Sequence, residues 1–139
     1  MIQAEIDGRS FGQRGAGIVV RLIHNKHRWI RTIQCGKITT NQAELKALEY
    51  VLKSIDPKYE EEEIIIKTTG RYALMMLEQK NGEWLRKSGT NTKLVEIIRE
   101  QYARFTEIQV IHSQELDKIK ELNEKAIKSG GQSIFDKRK

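Results

Sequence analysis

Cysteine occurs once in this 139-residue sequence, at Cys35, so no disulfide can form within the chain and a reducing compartment suits it best. Histidine is also scarce. His24, His27 and His112 together with one cysteine leave a Cys/His zinc site short of ligands. No apolar run approaches the roughly 20 residues that cross a bilayer, and MIQAEIDG lacks the basic and then apolar blocks of a secretory signal. These absences lead to the expectation of a soluble, cytoplasmic chain with no membrane contact. A hydrophobic content of 38% over 139 residues suffices for one core and is small for two, so one domain is expected. The formal charge of +6 makes polyanions plausible partners, but charged residues make up 32% of the chain and form no block, so composition alone favours nucleic acid only slightly.

Ile2, Ala4 and Ile6 alternate with Gln3, Glu5 and Asp7, the period of a strand that shows one face to a core, and Asp7 is expected to end it. Gly8 to Gly17 is turn material. Ile18 to Ile23 is a β-branched second strand, Asn25-Lys26 a hairpin turn, and Arg28 to Cys35 a third strand, which makes an antiparallel meander. From Asn41 the period becomes helical through Leu45, Leu48, Val51, Leu52 and Ile55, with Thr39 or Thr40 as cap and Pro57 beyond the end. Glu63 to Thr68 is short and apolar at its centre, as buried parallel strands are. A second helix is expected from about Arg71 to Gln79, stopped by Asn81-Gly82. Residues 83 to 90 form a basic loop, a third helix runs from about Asn91 to Phe105, and Ile108, Val110 and His112 mark a fifth strand. A last helix spans about Glu115 to Lys128. The expected organisation is one domain over residues 1–128, followed by a frayed basic tail over 129–139 that ends in Lys137-Arg138-Lys139. The order predicts a five-stranded mixed α/β sheet, an antiparallel meander plus two parallel strands, with helices on both faces.

Several segments together resemble a known family. Ile6-Asp7-Gly8, then Gly15-Ala16-Gly17-Ile18-Val19-Val20, then Thr39-Thr40-Asn41-Gln42-Ala43-Glu44-Leu45 look like type 1 ribonuclease H and the reverse-transcriptase-like domains related to it. Ile64 to Tyr72 and Asn123-Glu124-Lys125-Ala126 follow in the family's order and approximate spacing. The resemblance covers nearly the whole chain, and the pairing of Asp-Gly with the TTNQAEL helix start is its specific part.

The resemblance implies the ribonuclease H fold and, in the family, hydrolysis of the RNA strand of an RNA/DNA hybrid by two Mg2+ or Mn2+ ions. Two adjacent dications repel, so several carboxylates must hold them. Of the family's four acidic positions, Asp7 matches the first and Glu44 the second. The third falls on Thr69 and the fourth on Ile127, neither of which is an acid, so the site is read as degenerate and metal at Asp7 and Glu44 as weak. Glu5 on the strand face of Asp7, or Glu124 one turn before Ile127, is a conceivable substitute; the ordinary reading of each is solvated charge. His112 lies where the family has a mobile loop histidine, and otherwise is a strand-end side chain. His24 and His27 flank a turn and are expected to face solvent.

For nucleic acid, the resemblance points to the polar start of the first helix, Thr39, Thr40, Asn41 and Gln42, whose other role is helix capping. Thr40 stands where the family usually has Asn. Arg71 follows the lost acid and is placed to reach a phosphate. Lys80, Trp84, Arg86, Lys87 and Lys93 resemble in position a basic projection that some members use to hold hybrids, although a tryptophan there also suits packing. Three readings stay open: a degenerate domain that binds an RNA/DNA hybrid or RNA with cleavage lost or reduced, an active ribonuclease H with a rearranged carboxylate site, and a protein-interaction module on a relic nuclease fold.

Overall fold

The structure, a computed structural model, describes residues 1–87, 89–129 and 133–138. β1 (Ile2–Ser10), β2 (Ala16–His24) and β3 (His27–Gly36) form the expected meander, with Asn25 at φ 56° in the turn between the last two. α1 (Thr40–Ser54) follows, then β4 (Glu63–Thr68), the short α2 (Tyr72–Met75), α3 (Thr92–Tyr102), β7 (Glu107–His112) and α4 (Asp117–Ser129). A separate two-stranded hairpin, β5 (Gln79–Lys80) and β6 (Glu83–Trp84), lies between α2 and α3. With β8 (Ser133–Arg138), the main sheet has the order β7-β4-β1-β2-β3-β8, in which β4 is parallel to both β1 and β7, and the meander is antiparallel. The five expected strands are all in it.

The alternation along β1 sorts the two faces. Ile2, Ala4 and Ile6 join the main core beneath α1 and α3, with Leu45, Leu48, Val51, Leu52, Val95 and Ile98 among the buried side chains opposite. Asp7 faces the other way. So does its β2 partner Val19, which packs against Leu116 and Ile119 under α4. Each fully buried aliphatic side chain contributes about 1.5–3 kcal/mol, so these two apolar layers fix which face of every strand turns inward.

Three boundaries differ from the sequence expectation. β1 does not stop at Asp7, because Gly8, Arg9 and Ser10 keep pairing with Ile18, Gly17 and Ala16. The glycine-rich turn shrinks accordingly to a few residues around Gly12 and Gly15. The second helix is four residues long instead of reaching Gln79, because Asn81 and Gly82, at φ 55° and 79°, turn a hairpin where a helix stop was expected. The tail is not frayed over its whole length: β8 (Ser133–Arg138) pairs antiparallel with β3, which would otherwise leave a row of backbone groups on a sheet edge. Ser88 of the basic loop and Gly130, Gly131, Gln132 and Lys139 of the tail lie outside the described residues.

Gly8 sets how closely α1 approaches the sheet. A Cβ there would stand 2.3 Å from the Ala43 carbonyl oxygen, in rigid backbone that cannot step aside. Gly8→Ala should therefore separate β1 from α1 and cost about 1–3 kcal/mol or more, read as a lowered urea midpoint with near-native far-UV circular dichroism. An unchanged midpoint would show that this contact does not limit the packing.

Candidate functional site

The β1–β4 pairing ends at Ile6 and Thr68, and the Thr69 amide donates to the Ile6 carbonyl at 3.2 Å. Asp7 and Thr69 are thus side by side where the two strands end their pairing. Asp7 is 3% exposed and its two carboxylate oxygens are both engaged. The Thr69 hydroxyl donates to Oδ1 at 2.5 Å, and the Asn123 amide donates to Oδ2 at 2.7 Å. The same Asn123 nitrogen donates to the Gly17 carbonyl at 2.9 Å, so α4 is tied to β1 and β2 together. Asn123 is 1% exposed, and its side-chain oxygen has no partner among the described residues. The amide orientation follows from Asp7, because a carboxylate accepts only from the nitrogen end.

Glu44 comes from α1, whose start is a capping box: the Thr39 hydroxyl accepts from the Gln42 amide at 3.1 Å, and the Gln42 side chain accepts from the Thr39 amide at 3.0 Å. Glu44 Oε1 accepts from the Tyr72 amide at 3.0 Å, at the start of α2. Burial pushes this carboxyl above the usual carboxylate range, the Tyr72 and Ala73 amides pull against the rise, and the charge of Asp7 adds to it. Gly70 makes room for it. A Cβ at Gly70 would fall 2.1 Å from the Glu44 carboxylate, so any side chain there would evict it.

Between these acids lies a cleft of about 280 Å³, lined by Asp7, Gly8, Thr40, Glu44, Thr69 and Gly70, and also by Arg9 and Lys120. The latter two are exposed cations. Neither has an ion-pair partner among the described residues; the Arg9 guanidinium lies 5.1 Å over the Phe11 ring. Sequence reading missed both, although Arg9 follows Asp7-Gly8 directly and Lys120 stands three residues before Asn123, on one face of α4.

The structure brings Asp7, Glu44 and Thr40 into the cleft. Thr40 accepts from the Ser10 amide at 3.0 Å. Thr39 and Gln42 are engaged in capping, and Gln42 also donates to Asn91 at 3.3 Å, while Asn41 is exposed. Arg71 is exposed just ahead of α2. Lys80, Arg86 and Lys87 are exposed on and after the small hairpin, with Arg86 3.6 Å from Glu78. Trp84 is half-buried against the main core, with the Arg99 guanidinium 4.6 Å over its ring, which is the packing role. The proposed substitutes do not reach the cleft. Glu124 is exposed at its carboxylate and pairs with Lys128 at 2.9 Å, which holds it below the usual carboxylate range, and Glu5 pairs with Arg21 at 3.1 Å. His112 ends β7 beside Thr68 and does not line the cleft, and Ile127 is buried against Gly17. His27 is exposed, but His24 turns to the Glu62 carboxylate at 3.1 Å and stacks edgewise on Tyr59. Among the described residues no three His, Cys, Asp or Glu side chains converge on a position that would hold a metal ion.

No protein-family profile matches the sequence, and no curated protein matches it. Solved structures do. LC11 ribonuclease H1, isolated from compost and solved in complex with an RNA/DNA hybrid, superposes with a TM-score of 0.74 at 22% identity, covering 93% of this chain and 98% of that one. Ribonuclease H1 from the halophilic archaeon Halobacterium salinarum gives 0.69 at 21% identity over 92% and 98%. The N-terminal ribonuclease H domain of Rv2228c from Mycobacterium tuberculosis gives 0.62 at 21% over 85% and 94%. The likeness spans nearly the whole of each chain, and it establishes the ribonuclease H fold.

Two outcomes follow from this geometry. Thr69→Val deletes the hydroxyl that Asp7 depends on and should cost about 1–3 kcal/mol, measured by urea unfolding at neutral pH. Glu44, with its folded-state pKa raised, binds more protons folded than unfolded, so its contribution is present below the ordinary glutamate pKa and is lost as pH rises through the folded value. Comparing unfolding midpoints of wild type and Glu44→Gln from acidic to neutral pH should show a loss of stability in the wild type across that window that the variant lacks.

Proposed function

With the ribonuclease H fold as premise, we propose that this chain binds duplex nucleic acid, an RNA/DNA hybrid or an RNA duplex, and has lost two-metal hydrolysis or retains little of it. The observation that carries this reading is the surroundings of Asp7, whose carboxylate oxygens each accept from a neutral donor, one of them the hydroxyl of Thr69, which stands where a third acid would be needed. A pair of dications requires negative oxygens turned toward the cleft. This donor set does not fit them: among the described residues Asp7 and Glu44 are the acids that line the cleft, both already accept hydrogen bonds from the protein, and Arg9 and Lys120 add positive charge to the same space. Losing the firm seat of one ion removes several kcal/mol of transition-state stabilisation, roughly a thousandfold in rate or more.

Binding needs none of this. A duplex recognised by shape and phosphate contact requires hydroxyls, amides and cations along one surface, and Thr40, Arg71, Lys80, Arg86 and Lys87 supply them at or near the cleft and on the small hairpin. LC11 ribonuclease H1, which shares the fold, was solved in complex with an RNA/DNA hybrid, and this supports nucleic acid as the class of partner.

A labelled hybrid and an RNA duplex titrated in EDTA test the reading. With about three phosphate contacts, affinity should fall roughly fortyfold between 50 and 200 mM salt, and hybrid incubated with Mg2+ or Mn2+ should stay intact. Cleavage that disappears in Asp7→Asn would restore the enzyme, and absence of binding at low salt would dismiss the nucleic-acid reading.

A further inference from the structure

We infer that Arg9 and Lys120 seat a backbone phosphodiester directly in the cleft, taking by hydrogen bond and charge the place that metal ions would need. This rests on the duplex-binding reading above and names the contact by which that duplex would enter the site. The two cations approach from different elements, Arg9 from the end of β1 and Lys120 from α4, and line the same 280 Å³ space. Neither makes a close ion pair among the described residues; Glu124, whose carboxylate feels the Arg9 charge, is paired with Lys128, so both cations keep donors for an incoming anion. An Arg fork and a Lys ammonium suit the non-bridging oxygens of a phosphodiester, the first bidentate and the second as a point charge.

The walls agree with this occupant. Thr40 uses a lone pair to receive the Ser10 amide, and its hydroxyl proton stays available to the cleft. The two carboxylates of the floor are buried, with Asp7 screened by Thr69 and Asn123. Lys120, Asn123 and Ile127 recur at three- and four-residue spacing along one side of α4. That side carries a cation, an amide and an alkyl group toward β1 and β2, so the helix that bears the family's fourth acidic position here contributes positive charge.

The experiment measures hybrid and RNA-duplex affinity in EDTA across a salt series, for the full chain and for Arg9→Ala, Lys120→Ala and Glu44→Gln, with Lys53→Ala as a control on the far end of α1. Arg9→Ala and Lys120→Ala should each weaken binding about threefold to tenfold and reduce the salt slope by about 0.9, whereas Lys53→Ala should leave both unchanged. Glu44→Gln should bind at least as tightly as wild type, since it removes negative charge. Unchanged slopes in both cation variants, with wild type still bound, would overturn the phosphodiester seat and leave duplex binding elsewhere on the surface intact. Failure of wild type to bind either duplex would bring down both readings. Mg2+-stimulated binding that is weakened by Glu44→Gln would return the cleft to metal and refute the seat. Inorganic phosphate should compete no better than its ionic strength accounts for; stronger competition would make the seat a free-phosphate site, against the proposal.

Discussion

The Asp7 carboxylate is the constraint on which the rest of the structure turns. It is buried at the end of the β1–β4 pairing and would be prohibitively costly there as an isolated charge. Thr69 and Asn123 remove that cost, and in doing so each ties a separate element to β1: the turn after β4, and α4 through Asn123 with its second bond to Gly17. Hydrogen bonds to a charged group contribute about 1.5–3 kcal/mol each, and removing one partner leaves the charge uncompensated. The carboxylate thus fastens three parts of the fold to one another.

Glu44 has been drawn into a parallel role. Its carboxylate receives the amides that open α2, a helix too short to hold itself and whose preceding residue, Arg71, offers no side-chain cap. Gly70 is the counterpart that admits it. Both acids thus find hydrogen-bond partners within the protein itself. Arg9 and Lys120 line the same cleft as these two acids and set positive charge beside them. The ribonuclease H fold brings Asp7 and Glu44 to one cleft, and both acids also tie elements of the scaffold together.

Much of the scaffold was legible in the residues. The period of two in Ile2 to Asp7, the Thr39/Gln42 capping box and the short Ile64-Ile65-Ile66 strand are local patterns with local causes, and they placed β1, α1 and β4 to within a few residues. The misread segments had causes outside their own sequence. Asn81-Gly82 is equally a helix stop and a hairpin turn, and the chain forms the hairpin, with Trp84 packed against the core and Arg99 over its ring. β8 depends on the open edge of β3, a partner about a hundred residues away in the chain. Glu124 and Glu5 were credible substitutes by helical or strand spacing, yet the salt bridges to Lys128 and Arg21 are what they make.

The sequence by itself determined the fold class, the course of the core strands and helices, and the absence of acids at Thr69 and Ile127, because hydrophobic period, turn chemistry and residue identity act over short stretches of chain. Only the tertiary structure decided what Asp7 and Glu44 bind, and that Arg9 and Lys120 share their cleft. Hydrogen-bond partnership and charge balance arise between residues such as Asp7 and Asn123, 116 positions apart, whose distance in space no local pattern encodes.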